Sequence, residues 1–236
     1  MAVGYNPRTV TDGLVLALDA GNTKSYPGSG TTWTDLSGNG NNGTLVNGVG
    51  YDSGDGGALS FDGVNDYVTL VSNSNFSFGT GDFTIECWVW RNGSQSENAG
   101  IIITYPNAFG SAPVTTWQLS MGSVEGGGNA NKLVFYIGGQ LDLRLDDPDV
   151  FPNQTWTYVA VTRSGSTINL YKNLTLVDSG TSSQNLSDDD LAIGVNRAGG
   201  SYWKGYISNT RVYKGKALTA SEVKQNYNAL RGRYGI

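Results

Sequence analysis

The strongest indication of structure in this chain of 236 residues lies in residues 202–223. They read Tyr202-Trp203-Lys204-Gly205-Tyr206-Ile207-Ser208-Asn209-Thr210-Arg211-Val212-Tyr213, then Lys214-Gly215-Lys216-Ala217-Leu218, then Thr219-Ala220-Ser221-Glu222-Val223. The first part is aromatic and β-branched, which predicts a half-buried strand. Thr219 with Glu222 three residues later has the form of a capping box, which opens a helix. Val223, Tyr227 and Leu230 then recur at i, i+4 and i+7, so one face of that helix is apolar.

Short apolar runs separated by Gly, Asn and Asp fill the rest of the chain. The run from Phe83 to Trp90 alternates cleanly, with Cys87 on the apolar face and Glu86 on the opposite face. Strands are predicted near residues 14–18, 58–63, 67–70, 83–90, 101–105, 116–121, 132–137, 140–145, 155–163, 166–172, 174–178, 190–195 and 203–213. This rhythm is typical of an all-β sandwich in one domain.

The composition excludes several kinds of site. With no histidine, neither a Ser-His-Asp nor a Cys-His arrangement can form, and an ordinary zinc site is excluded. Cys87 is the one cysteine, so no internal disulfide is possible, and we interpret it as a packing residue. We find neither a secretory leader nor a long apolar run, and therefore expect no membrane partner.

Charge is distributed unevenly along the chain. The net charge is −5, made of −11 over residues 1–202 and +6 over residues 203–236. Two interpretations stay open: the charges are simply solvated, or the basic end docks on an acidic partner surface. An acidic body argues against nucleic acid as a partner.

Four segments in order resemble the laminin G-like, concanavalin A-like lectin/glucanase family. They are residues 58–68, 83–89, 156–162 and 205–222, and the resemblance spans roughly residues 14–230. It implies a jelly roll of two antiparallel sheets with one short C-terminal helix. We therefore predict an N-terminal arm at residues 1–12 and a single domain at 13–236, with the helix at about 219–230.

Within that family, residues 13–22 and 213–219 resemble structural proteins of tailed bacteriophages. This resemblance implies a virion component at the particle surface, such as a capsid decoration (cement) or tail-associated protein. Its partners would be other virion proteins in a homo- or hetero-oligomeric assembly. The contacts that we expect are Tyr5, Pro7, Arg8, Arg211, Lys214, Lys216, Arg231 and Arg233.

Hydrolysis of a glycosidic bond needs two carboxylates on either side of that bond. The glucanase relatives carry a Glu-x-Asp-x-Glu run, which this chain lacks. Glu86 has no acidic residue two positions away on its strand, so we interpret it as a lone surface or rim carboxylate. We predict that the chain is not an enzyme, with glycoside hydrolysis as the less favoured alternative.

Clustered acidic and amide side chains could hold calcium, which prefers oxygen ligands. The candidates are Asp19, Asp35, Asp62, Asn65 and Asp66. The competing interpretation is that these residues form Asx turns with their own backbone. Many relatives carry Asp where this chain has Ser208, which weakens the case for calcium.

The second functional hypothesis is a lectin-like module that binds polysaccharide, which can coexist with the virion role. Sugar rings would stack on exposed aromatic side chains beside polar groups. The candidates are Trp90, Tyr105, Trp117, Tyr202 and Trp203, whereas Trp33, Trp88 and Trp156 are interpreted as structural.

Overall fold

The computed structural model describes residues 8–104, 115–122, 131–138, 142–187, 190–196 and 200–236. Within these ranges the strands are β1 Leu14–Asp19, β2 Thr32–Trp33, β3 Gly43–Val46, β4 Gly50–Asp52, β5 Ala58–Asp62, β6 Tyr67–Leu70, β7 Phe83–Arg91, β8 Gly100–Thr104, β9 Trp117–Gly122, β10 Lys132–Ile137, β11 Leu143–Asp146, β12 Trp156–Ser164, β13 Thr167–Lys172, β14 Thr175–Thr181, β15 Leu191–Ile193 and β16 Lys204–Lys214. The helix α1 spans Ala220–Leu230. Short 3-10 turns occupy Gly54–Gly56, Ser74–Phe76 and Arg231–Tyr234.

The strands form two antiparallel sheets. The first has the order β14-β13-β12-β7-β16-β5-β4, with β1 pairing alongside β16. The second has the order β11-β10-β9-β8-β15-β6-β3-β2. This architecture confirms the predicted concanavalin A-like jelly roll, and each predicted strand has a counterpart at nearly the predicted position. Strands β2, β3 and β4 were not predicted, because each has at most four residues in a turn-rich stretch.

The apolar side chains between the sheets form the main core. Both sheets contribute, with residues such as Ile85, Val161 and Val212 from the first and Leu119, Phe135 and Ile193 from the second. Cys87 is buried among them, as predicted.

A second apolar cluster covers part of the outer face of the first sheet. Val223 and Tyr227 of α1 are buried there, and Leu230 packs beside them, which confirms the predicted apolar stripe. Tyr227 stacks on Trp88, with ring centroids 5.2 Å apart. The capping box is present: the Thr219 hydroxyl accepts from the Glu222 backbone N–H, and the Glu222 carboxylate accepts from the Thr219 backbone N–H.

Residues 8–10 of the predicted arm lie against this helix. The Val10 N–H donates to Asn226 Oδ1 at 2.7 Å, and Gln225 donates to the Arg8 carbonyl at 2.6 Å. Residues 1–7 of the arm lie outside the described ranges. No helix of the described part is long and apolar enough to cross a membrane.

Candidate functional site

Three aromatic side chains form a row across adjacent strands on the outer face of the first sheet. Trp156 of β12 is the register partner of Trp90 in β7, and Trp90 is the partner of Tyr206 in β16. We call these three residues the aromatic row. The Trp90 and Tyr206 ring centroids lie 5.0 Å apart, and those of Trp156 and Tyr206 6.4 Å apart. Trp90 and Tyr206 are half-buried, whereas Trp156 is 6% exposed and supports them from the side of the helix.

A β-bulge places Tyr206 in this row. Ile207 pairs with Val89 and Asn209 pairs with Trp88, so Ser208 is an extra residue in β16. Because side chains alternate along a strand, one extra residue changes which positions face outward. Even-numbered positions face outward before the bulge and odd-numbered positions after it, so Tyr206 and Arg211 share the outer face.

Two exposed carboxylates flank the aromatic row. Asp55 accepts a hydrogen bond from Trp156 Nε1 at 2.9 Å. Burial raises the pKa of Tyr206 above its usual value, and the negative charge of Asp52 and a hydrogen bond to it add to this rise. The Tyr206 hydroxyl is therefore neutral and donates toward Asp52. Both carboxylates are exposed, so each keeps oxygen atoms available to a ligand.

The loop that carries these carboxylates is held by the last residues of the chain. Asp55 adopts the left-handed conformation (φ 46°, ψ 33°) between glycines. A Cβ added to Gly56 would lie 2.1 Å from Cγ of Arg233, so the arginine stem packs directly on the loop backbone. Arg233 in turn forms an ion pair with Asp19. The loop is thus clamped rather than free, and Asp55 has a defined position.

Tyr234 continues this support beneath the aromatic row. Its ring centroid lies 4.6 Å from that of Trp156 and 4.4 Å from that of Trp88. Its hydroxyl donates to Ser208 Oγ at 2.9 Å, and Ser208 donates to the Gly57 carbonyl at 2.6 Å. The 3-10 turn after α1 therefore joins the bulge, the loop and the row.

The predicted glycan-binding residues have different positions. Trp90 lies in the aromatic row. Tyr202 is half-buried on the outer face of the second sheet, where its ring centroid is 6.5 Å from that of Tyr67. Trp117 and Trp203 are fully buried in the main core, so the prediction that they offer exposed rings is wrong. Tyr105 lies outside the described residues.

Sequence reasoning missed Tyr206, Asp52 and Asp55. Tyr206 sits in a predicted strand, but its orientation depends on the bulge at Ser208, which no local pattern announces. Trp156 was interpreted as structural, and its burial agrees with that role. The glycines around Asp55 are the sequence feature that could have indicated an exposed carboxylate at this position, because they leave it isolated in a stretch of small residues.

The prediction that Glu86 is a surface or rim carboxylate is wrong. Glu86 is fully buried beneath α1. Its carboxylate accepts from the Tyr158 hydroxyl at 2.6 Å, from Arg211 Nη1 at 2.9 Å and from Asn226 Nδ2 at 3.0 and 3.2 Å. Burial, followed by the charge of Glu86, raises the pKa of Tyr158 well above its usual value, so Tyr158 remains a neutral donor. A substrate cannot reach this carboxylate without removing the helix.

The candidate calcium ligands are engaged with their own backbone. Asp35 accepts from the Ala17, Ser37 and Asn41 N–H groups, and Asp62 accepts from the Val64 and Asn65 N–H groups. Backbone hydrogen bonds lower the pKa of Asp62, chiefly the one from Val64. Burial raises the pKa of Asp66, which accepts from the Asp62 N–H.

These bonds confirm the Asx-turn interpretation for Asp35 and Asp62. Asp19 pairs with Arg233 and accepts from the Gly21 N–H, and Asn65 is exposed. Across the described ranges, no three His, Cys, Asp or Glu residues are grouped so as to hold a metal ion.

The predicted partner contacts are divided between buried and exposed residues. Arg211 is the buried ion-pair partner of Glu86, so its assignment to an external contact is wrong. Lys216 pairs with Glu222 at 2.8 Å, and Lys214 donates to the Ser74 carbonyl at 2.6 Å. Arg233 is half-buried and paired with Asp19, whereas Arg8 and Arg231 are exposed. Tyr5 and Pro7 lie outside the described residues.

Comparison with known proteins places this geometry among related folds. Residues 62–224 match the family model Laminin_G_3, described as the concanavalin A-like lectin/glucanases superfamily. Among curated proteins, none matches the chain significantly.

Solved structures with the same fold include domain 4 of AbnA, a GH43 extracellular arabinanase from Geobacillus stearothermophilus, in complex with arabinotriose. It has a TM-score of 0.67 and 20% identity, with 92% of this chain and 98% of that domain covered. The binding domain of Paraclostridial Mosquitocidal Protein 1 has a TM-score of 0.64 and 19% identity over 93% of this chain. The binding domain of Botulinum Neurotoxin DC in complex with SialylT has a TM-score of 0.67 and 13% identity over 94% of this chain. The chain spans about half the length of each toxin domain.

Proposed function

The chain belongs to the laminin G-like family of the concanavalin A-like lectin/glucanase superfamily, and from that membership we propose that it is a non-catalytic carbohydrate-binding module. The observation that carries the proposal is the aromatic row with its two carboxylates. The half-buried rings of Trp90 and Tyr206 offer apolar surface to the C–H groups of a sugar ring. Asp52 and Asp55 offer oxygen atoms that accept hydrogen bonds from sugar hydroxyls.

The way in which the row is held also supports binding. Trp156, Tyr234 and the clamped loop restrain the rings and Asp55 before any ligand arrives. A preformed site loses less conformational entropy when a ligand binds. An arabinanase domain of the same fold has been solved in complex with arabinotriose, and a toxin binding domain of the same fold in complex with SialylT. We infer the same class of ligand for this chain.

Binding rather than hydrolysis is favoured by the positions of the carboxylates. Glu86, which the sequence analysis weighed and set aside as half of a carboxylate pair, is buried and neutralised by Arg211. Asp52 and Asp55 lie three residues apart at one edge of the aromatic row, whereas glycoside hydrolysis requires two carboxylates on either side of the scissile bond.

The test is a glycan array probed with the unaltered protein, Trp90→Ala and Tyr206→Ala, in calcium and in EDTA. Loss of a central aromatic contact costs about 2 kcal/mol, so each variant should bind at least about 30-fold more weakly. Tyr202→Ala is the matched control, since Tyr202 is a half-buried tyrosine on the other sheet. Reducing-end release from the bound oligosaccharides should be absent.

Three results would contradict the proposal. Absence of binding to any glycan removes the lectin role. Binding that is lost in Tyr202→Ala but kept in Trp90→Ala places the site on the second sheet instead. Steady release of reducing ends makes the protein an enzyme.

A second candidate function is attachment to a virion surface, with the module displayed on a tailed-phage particle. It is favoured by the basic groups around α1: Lys224 and Arg231 are exposed, and exposed Arg8 is fastened to the helix through Gln225. Neutralising Arg8, Lys224 and Arg231 together should lower occupancy on particles more at low salt than at high salt. Lys132→Gln serves as the control. Unchanged occupancy of the triple variant would exclude this docking surface.

A further inference from the structure

The charges around the aromatic row are unbalanced. Asp52 and Asp55 are exposed beside the rings. Lys204 lies two residues before Tyr206 on the same face of β16, but its register partner is Asp62. Lys204 and Asp62 carry opposite charges on neighbouring strands, so they cancel in the net charge of this surface. These four groups together leave about two negative charges facing any ligand on the row.

Aromatic faces add to this preference. The π-electron face of tryptophan or tyrosine attracts a cation, most strongly where a nearby carboxylate adds to the field. Trp90 and Tyr206 present such faces next to Asp55 and Asp52. The same arrangement repels a carboxylate or sulfate group on a sugar.

We infer, on the basis of the proposed carbohydrate-binding function, that the site selects glycans by charge: it prefers sugars that carry a free amino group to neutral sugars, and neutral sugars to acidic ones. The expected ligand class is thus an amino-sugar polysaccharide in which some amino groups are not acetylated. Hydrophobic stacking supplies the affinity shared by all ligands, and the two carboxylates supply the discrimination.

The test compares three oligosaccharides of equal length by calorimetry at low salt and pH 6. They are a chitosan oligomer with protonated amines, the N-acetylated chitin oligomer and an oligogalacturonate. Each exposed carboxylate should contribute about a two- to five-fold preference for the amine over the N-acetyl form. The Asp52→Asn/Asp55→Asn double variant keeps side-chain size and the acceptor for Trp156. It should lose the preference for chitosan: the affinity for chitosan should fall to that for chitin, and any loss of chitin binding should be smaller than the loss of chitosan binding.

The acidic body of the protein could attract a polycation at other places. Asp12→Asn/Asp149→Asn is therefore the matched control, because it removes two exposed carboxylates, one beside Lys216 and one in the loop after β11. It should leave the preference intact. Loss of the preference in this control, or its survival in the variant at the row, overturns the inference.

Failure of the inference and failure of the proposed function give different results. If chitin and chitosan bind equally through Trp90, the charge selection is wrong while the carbohydrate-binding function stands. If none of the three oligosaccharides binds but the array gives another glycan ligand, the inference is wrong and the carbohydrate-binding function stands; if the array is negative as well, both are wrong.

Discussion

Replacing Glu86 by glutamine should destabilise the fold strongly, although the change removes only a charge. The carboxylate receives four hydrogen bonds from Tyr158, Arg211 and Asn226, all beneath α1. Glutamine keeps the side-chain volume, but its amide group has one acceptor oxygen in place of two. Its NH₂ group would face groups that are themselves hydrogen-bond donors in the native structure. Arg211, which is 6% exposed, then keeps a buried charge with no counter-ion.

The magnitude follows from that unpaired charge. Removing one partner of a buried ion pair costs about 3–5 kcal/mol, because the remaining charge stays desolvated. Total stabilities of folded proteins are about 5–15 kcal/mol, so this loss is a large part of the total. Asn226 also anchors the Val10 N–H, so the helix and residues 8–10 should loosen together.

Urea denaturation followed by tryptophan fluorescence measures the effect. The midpoint should fall while the slope of the unfolding free energy against urea stays unchanged. Glu222→Gln, a half-buried carboxylate paired with Lys216 near the surface, is the control and should lower the midpoint far less. Glu86→Gln/Arg211→Met should recover much of the stability, since it removes both charges. A loss below about 1 kcal/mol for Glu86→Gln alone would refute the reasoning.

Three further predictions concern pH, the helix cap and the clamped loop. Burial raises the pKa of Cys87 to about 12, and that of Tyr158 also rises, whereas the unfolded groups titrate near 9 and 10. Unfolding above about pH 9 therefore releases protons. The contribution of these groups to the free energy of unfolding is fully present below about pH 9 and falls by roughly 1.4 kcal/mol per pH unit and group as the pH rises toward 12. Urea midpoints at successive pH values measure this loss. Thr219→Ala should cost about 1 kcal/mol by loss of the cap, measured by thermal unfolding; no change would contradict the capping role. Gly56→Ala should weaken glycan binding and lower stability, because its methyl group would displace Arg233, and retained affinity in the array would show that the clamp is not needed.

Most strands could be predicted because each carries its own local signal, whereas the short β2, β3 and β4 do not. Alternation from Phe83 to Val89 and the turn residues between runs are local features, and the structure confirms them. The capping box and the stripe of Val223, Tyr227 and Leu230 are local as well.

The site could be predicted only in part because it depends on non-local contacts. Trp90 was recognisable as an outward aromatic residue, but its neighbours come from strands more than 60 residues away in sequence. The burial of Glu86 follows from the helix packing on its strand. Trp88 on the same face was a clue, since a strand with large apolar residues on both faces is covered on both sides.

The extra residue at Ser208 lets one strand carry two independent surfaces. Positions 204–206 place Tyr206 in the aromatic row, whereas positions 209–213 include Arg211, which pairs with Glu86 beneath the helix. Trp90 and Tyr206 can therefore be replaced by other residues, to change which ligand the proposed site binds, without altering the groups that secure α1. A single extra residue thus separates the outward ring of Tyr206 from the buried ion pair carried by the same strand.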